Sequence, residues 1–453
     1  MATTPVTEHP SDIPEVPSSS DRLRRRRRLH TKLKLATQIG EGIDGYVIGG
    51  IGMAMGALTT DLHLSTVMEG LVGASPLIGI FVGGPLFGRL ADRLGRRPVF
   101  LVDMLIFLVG SVLQFFVTDG LQLFLIRLVM GVAIGGEYAI GAPLLSEYAP
   151  SQGRGRLLAS LEISWYVGYA LATVVGAVFQ DVRGGWRYTL ASSAVIALVC
   201  VALRGGIPES ARWLLSKGRR QEAEALIHKY GIDVDVSAEL DETARTGGQG
   251  FRDLFSRRHL RSTVFASVFW AALVLPYFAI GTFWTQVFEA LHMGDNAVAA
   301  LLVYSFTAVA GVTVGCLVVD RIGRRRLLIP PFWITAGCLA VVAVWPTSTP
   351  VIVCGFLFFI FLNAASSALT AVYPLEVFPT SLRATGVGFA TAMSRVGAAV
   401  GTFLLPMGLD RYGARFVLLV GAAVLAVGGL VSQFLAPETT DLDLAKAART
   451  TAP

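Results

Sequence analysis

The sequence predicts an all-α membrane protein, with twelve transmembrane helices in two pseudo-symmetric halves of six. Three observations carry that expectation. First, 53% of the 453 residues are hydrophobic, only 15% are charged, and mean hydropathy is +0.61. A soluble domain carries about 25% charged residues, whereas 53% of this chain fills roughly twelve spans of ~20 apolar residues each. Second, the charges cluster, with 31 of 70 falling in residues 1–34 and 205–261. Third, motifs of the first half recur in the second at a near-constant offset. This composition excludes a soluble enzyme, a nucleic-acid module and a disordered scaffold. A net charge of +6 reports topology in such a chain rather than nucleic acid.

Residues 1–34 hold 8 basic and 4 acidic side chains, including Arg24 to Arg28, with Pro5, Pro10, Pro14 and Pro17. They read as a disordered basic tail at a membrane surface, too polar for a cleavable signal peptide. Six apolar runs follow at about 35–60, 66–90, 98–117, 121–147, 156–180 and 187–204, making a first half over 35–204. Residues 205–261, with 10 basic and 9 acidic side chains, form a central loop whose segment Pro208 to Gly231 reads as amphipathic helices. Six further runs at about 262–291, 297–319, 327–345, 350–377, 382–408 and 414–435 make the second half, and 436–453 a tail. Cys200, Cys316, Cys338 and Cys354 all lie in apolar runs and read as free thiols.

Basic residues set the orientation. With both termini inside, 32 Lys and Arg fall on the inner side and only Arg183, Arg187, Arg411 and Arg415 outside. The tails and central loop are therefore expected in the cytoplasm of a cell inner or plasma membrane.

The halves repeat each other. Asp92-Arg93-Leu-Gly95-Arg96-Arg97 recurs as Asp320-Arg321-Ile-Gly323-Arg324-Arg325, an offset of 228. Glu147-x-x-Pro150-x-x-x-Arg154 recurs as Glu376-x-x-Pro379-x-x-x-Arg383, and Pro208-Glu209-Ser as Pro437-Glu438-Thr, both offset by 229. Such parallel repeats build alternating-access carriers.

With these motifs, GRLADRLGRR at 88–97, PESARWL at 208–214 and PLEVFPTSLRATGVG at 374–388, the chain resembles the major facilitator superfamily. Within it the resemblance is to the sugar-porter-like and metabolite–proton symporter branch, over about residues 35–440. It implies a major facilitator fold and a gate built from Gly88, Asp92, Arg93, Gly95, Arg96, Arg97, Glu147, Arg154, Glu209 and Arg212. Asp320, Arg321, Gly323, Arg324, Arg325, Glu376 and Arg383 are their second-half counterparts. In the family such charges brace the inner side while the carrier faces outward.

Asp44, Arg127, Glu137, Glu162 and Arg395 lie well inside spans, where each would cost about 2.5–3.5 kcal/mol facing lipid. They are therefore expected to line the interior. Asp44, in GIDGYVIGG, occupies the position of the coupling aspartate of proton–sugar symporters, and Arg127 that of the arginine beside it. The resemblance implies that Asp44 carries the proton; a permanent ion pair with Arg127 is the other reading. Glu137, in a GGE pattern similar to organic-anion and phosphate symporters, reads either as a second proton site or as an arginine's partner. Glu41 lies one turn before Asp44, nearer the interface. No histidine falls mid-span.

The family's sugar-gripping residues are missing. Glu162 stands where sugar porters have glutamine, span 7 lacks QQxSGxN, and Ala371 replaces a common tryptophan. Instead Glu162, Trp165, Tyr166 and Tyr169 share a helical face, and Tyr277 and Trp284 another. They read as substrate contacts or as packing. Arg395, in MSRVGAAVG, resembles the arginine segment of aromatic-acid symporters and could pair bidentately with a carboxylate.

The expected activity is proton-coupled import of a small organic metabolite, favouring anionic or aromatic carboxylates. A sugar or polyol is the runner-up, ahead of a drug–proton antiporter or a non-transporting sensor. The expected partners are a small-molecule substrate, protons and the lipid bilayer, with no nucleic acid, cofactor or metal, and the chain is expected to act as a monomer. Without a GxxxxGK[ST] loop it is no ATP-driven pump.

Overall fold

The computed structural model describes residues 19–148, 154–230, 251–293, 297–379 and 382–439. Helix dominates these residues and no strand occurs among them. The spans are Ser19–Asp61, Thr66–Leu94, Arg96–Phe115, Gly120–Tyr148, Arg154–Phe179, and a sixth made of Gly185–Ala191 and Ser193–Arg204. Two short helices follow, Ala211–Ser216 and Arg220–Tyr230, then a 3-10 turn at Phe251–Phe255. The second half runs Leu260–Thr282 (extended by Trp284–Ala290), Ala297–Ile322, Arg324–Val344, Thr349–Val377 and Arg383–Leu435.

Among the described residues, ten helices are long and apolar enough to cross a membrane. The last of these turns at Gly413, whose φ of 76° is left-handed, and so provides spans 11 and 12. Span 1, with Glu41 and Asp44 in its apolar stretch, completes twelve.

Span 1 begins earlier than the tail reading allows. Helix runs from Ser19, so part of the expected disordered segment is ordered, while residues 1–18 lie outside the described residues. Leu29, Leu33 and Ala36 recur on one face and are buried with Leu144, Leu145, Leu161 and Ile207. Lys32 donates to the Gly205 carbonyl. Apolar burial and this bond hold the basic extension against the segment after span 6.

Packing repeats with the sequence. Span 1 packs on span 5 and span 2 on span 4; span 7 packs on span 11 and span 8 on span 10. The halves meet where span 5 lies on span 8, span 2 on span 11 and span 1 on span 7. Close approach explains the glycines of GIDGYVIGG. A Cβ at Gly45 would overlap the Trp165 carbonyl, and one at Gly168 the Gly42 carbonyl.

The face carrying both described chain ends and the two short helices, here the basic face, differs from the opposite one. On the opposite face the halves interlock: a Cβ at Gly52 would overlap the Gly281 carbonyl, and one at Gly70 the Phe403 carbonyl. Gln286 Nε2 of the second half donates to Glu69 Oε2 of the first at 3.0 Å.

Candidate functional site

A cavity of about 290 Å³ lies between the halves, close to the smallest pockets that hold drug-sized ligands. Its walls come from spans 1, 4, 5, 7, 10 and 11, and run from mid-span to Ala142, Leu158, Leu375 and Val387 near the basic-face ends. The molecule is thus sealed at the opposite face and hollow toward the basic one.

Arg395 of span 11 lines this cavity and is 8% exposed. Its guanidinium lies 5.4 Å from the Tyr138 ring centre and 5.9 Å from that of Phe278, a cation–π cradle. Among the described residues no carboxylate forms an ion pair with it. Across the cavity Glu162 Oε1 accepts from Thr370 Oγ1 at 3.5 Å, joining spans 5 and 10. Glu41 also reaches the lining.

Trp165, Tyr166 and Tyr277 form an aromatic wall with Phe278, their ring centres 5.1–6.2 Å apart. The Tyr277 hydroxyl is buried with no hydrogen-bond partner among the described residues, so it is free to meet a ligand. Two expected contacts fall outside this wall. Tyr169 stacks behind Trp165 and covers Gly49. Trp284 is 1% exposed, packs on Phe288 and Tyr304, and donates Nε1 to the Ala297 carbonyl at 3.0 Å. Seven-residue spacing places Tyr277 and Trp284 on one face only in an unbroken helix, and this one breaks at Phe283.

Asp44 is fully buried, and neither carboxyl oxygen has a hydrogen-bond partner among the described residues. The permanent ion pair with Arg127, the alternative reading, is not made among the described residues. Arg127, also fully buried, donates instead to Gln114 Oε1 at 3.3 Å and to the Val47 carbonyl at 3.2 Å. Val47 lies one turn beyond Asp44, so the guanidinium docks on span 1 past the acid.

Glu137 has an arginine partner, and it is one the interior set omitted. Arg204 Nη2 donates to Glu137 Oε2 at 2.6 Å and Nη1 to Asp103 Oδ1 at 2.8 Å, all three side chains fully buried. Arg204 stands at the last position of the 187–204 apolar run, where a basic residue reads as topogenic rather than interior. Asp103 carried the same signal as Asp44, an acid inside a run, and could have been found.

At the basic face the motif residues form two matching clasps. Glu147 pairs with Arg96 and accepts from the Ser210 hydroxyl. Glu376 pairs with Arg324 at 2.8 Å and accepts from the Thr439 hydroxyl. Glu209 accepts from the backbone N–H groups of Arg96 and Arg97, and Glu438 from those of Arg324 and Arg325. Gly95 and Gly323, at φ 105° and 87°, make the tight turns that expose these N–H groups.

Each clasp lies within one half. The loop arginines thus meet the Glu147 and Glu376 elements, and the ion pairs among the described residues of these clasps stay within a half, consistent with a cavity hollow toward this face. Asp92, Arg93, Arg97 and Arg321 are exposed, Asp320 reaches Arg324 at 3.3 Å, and a Cβ at Gly88 would meet nothing within 4 Å. Arg212 and Arg383 have interactions of their own. The Arg154 side chain lies outside the described residues.

Three comparisons bear on this geometry. The inner membrane metabolite transport protein YgcS of Escherichia coli is 38% identical over 422 residues, 93% of this chain and 94% of that protein. The niacin transporter NiaP of Acinetobacter baylyi is 26% identical, over 91% and 95% of the two chains. The xylose transporter XylE of Escherichia coli, in a partially occluded inward open conformation, superposes with a TM-score of 0.78 at 20% identity, covering 92% and 100%. Residues 33–450 match the family model for sugar (and other) transporters. With that match over most of its length, a twelve-helix architecture and a cavity between two repeated halves, the chain belongs to the sugar (and other) transporter family of the major facilitator superfamily: it is a multi-pass membrane transporter of metabolites, not an enzyme.

Proposed function

We propose that the chain imports a small organic anion, an aromatic or heterocyclic carboxylate, together with protons. Alternating access carries both, with the basic face at the cytoplasm of a cell inner membrane. The observation that carries this reading is Arg395, cradled by two rings, facing the cavity and, among the described residues, in no ion pair with the Glu41 and Glu162 that share its walls. A substrate carboxylate supplies the missing anion, and its ring stacks on Trp165, Tyr166 and Tyr277. A relative named as a niacin transporter fits, niacin being an aromatic acid.

Proton coupling is supported by Asp44. A buried carboxylate without a donor is costly, so a proton is the counter-ion it can take. Arg127, docked one turn away, competes for it when span 1 moves. The orientation is supported by the 32 basic residues on one side and 4 on the other. A sugar or polyol is the second reading, favoured by the family description and by Asn363, Ser367 and Thr370 along one cavity wall.

Uptake of labelled carboxylates, their amides and sugars into vesicles, with and without a pH gradient, tests the proposal. Accumulation of a carboxylate but not its amide, driven by the gradient, is expected. Equal handling of acid and amide would return the sugar or polyol reading to the front.

A further inference from the structure

We propose that Asp103, Glu137 and Arg204 form a second proton-binding site, linked to Asp44 through span 1. The inference rests on the proton-coupled reading above and extends it from one acid to two sites.

The triad joins three spans of the first half, with Asp103 on span 3, Glu137 on span 4 and Arg204 closing span 6. Arg204 also donates to the Phe100 carbonyl and lies 3.5 Å from the centre of that ring. Every side chain of the triad is fully buried. An ion pair that only fastened helices would need one carboxylate. Two against a single guanidinium leave one uncompensated negative charge in a dry site, which is costly unless a proton neutralises it. Places for that proton exist: Asp103 Oδ2 and Glu137 Oε1 have no hydrogen-bond partner among the described residues. A proton on either acid turns that carboxylate into a carboxyl and leaves the other acid paired with Arg204.

The groups around the triad reinforce the demand. Span 1 carries the acids Glu41 and Asp44, next to and one turn beyond Gly40, whose backbone lies on Glu137 and Arg204, so it adds negative charge beside the triad. Span 6 adds the Cys200 thiol, which donates to the Ala36 carbonyl. Arg127 is turned to Gln114 and Val47. Among the described residues no other cation forms an ion pair with Asp103 or Glu137.

The link to Asp44 is steric. A Cβ at Gly40 would overlap Glu137 Oε1 and crowd Arg204 Nη2, and one at Gly141 would crowd Oε1 from the other side. Backbone one turn before Asp44 therefore lies directly on the triad. Any shift of span 1 changes what covers the unpaired oxygen, so proton occupancy here and the position of Asp44 bias one another.

The proton is the ligand, and infrared difference titration of the purified full-length protein reads it through the carboxyl stretching band. Besides any signal from the cavity acids Glu41 and Glu162, two buried carboxyls should titrate in the wild type, one at Asp44 and one in the triad. Asp44→Asn should remove one, while Glu137→Gln or Asp103→Asn should remove the other, one proton fewer per protein in each case. Gly40→Ala, which keeps every acid, should shift the midpoint of the triad signal and, through span 1, that of Asp44 as well. If no titrating band is lost in Glu137→Gln or Asp103→Asn and none shifts in Gly40→Ala apart from that of Asp44, the triad is a fixed ion network and the inference falls. The Gly40→Ala arm of that result needs no triad variant to fold. If instead the triad titrates and Asp44 does not, the assignment of coupling to Asp44 fails and the triad stands.

Discussion

At the scale of single residues, two side chains decide the proposed activity. Asp44→Asn should abolish accumulation of substrate against its gradient while leaving exchange of labelled for unlabelled substrate, because only proton traffic is lost. Undiminished accumulation driven by a pH gradient would remove Asp44 from coupling. Arg395→Lys keeps a positive charge but loses the planar fork that meets a carboxylate with two bonds. It should weaken substrate binding by roughly tenfold or more, about 1.5–3 kcal/mol for a lost charge-assisted bond. Titration calorimetry with an accepted carboxylate measures this, and an unchanged affinity would assign Arg395 to structure. The positions of Asp44, Glu162 and Arg395 were legible because ionisable groups inside apolar runs must face the interior. Partners were not. Residue spacing along span 4 gives no sign that Arg127 reaches Val47 and Gln114, and Arg204 was masked by its place at a run's end. Tyr169 and Trp284 were misplaced because periodicity identifies a face without saying what that face meets.

At the scale of elements, the Pro-Glu-Ser and Pro-Glu-Thr repeats acquire a mechanical meaning. Glu209 and Glu438 cap the N-termini of spans 3 and 9, where the helix dipole and exposed N–H groups favour an anion. Glu209→Ala and Glu438→Ala should each lower stability by about 1 kcal/mol, the usual cost of losing an N-cap side chain. The measurement is thermal unfolding in detergent. A loss in one variant only would show that the two clasps are not equivalent. The repeat itself was plain in the sequence, as were the tight glycine turns. What pairs with what was not, since an offset of 229 links corresponding residues and is silent on contacts within a half. The helical extension at Ser19 was also missed, because Arg24 to Arg28 weighed more in a charge reading than the buried Leu29, Leu33 and Ala36.

At the scale of the whole molecule, closure of the opposite face depends on glycines. Gly52 and Gly70 let backbones of the two halves touch where any side chain would overlap a carbonyl. Gly52→Leu or Gly70→Leu should therefore prevent this conformation and hold the carrier open at that face. A cysteine placed in the cavity should then react faster with a membrane-impermeant thiol reagent added outside, and net uptake should fall several-fold. Reactivity equal to that of the parent protein would show that the seam tolerates the bulk. Composition and repeats made the two-half architecture readable. The conformation captured here was not, because one sequence must encode every state of its cycle.

The clasps at the basic face have a consequence for how such a machine wears and how it can be tuned. Each half fastens its own ends in this conformation. Across the seam between halves, the ion pairs among the described residues give way to neutral-donor bonds, Gln286 to Glu69 and Thr370 to Glu162 among them, and this is the part that opens and closes. Damage to a clasp should shorten the working life of every molecule without altering its rhythm. Damage to the seam should leave durable molecules that spend their time in the wrong posture. Durability and duty cycle should on this arrangement draw chiefly on different residues, the clasps for the one and the seam glycines for the other.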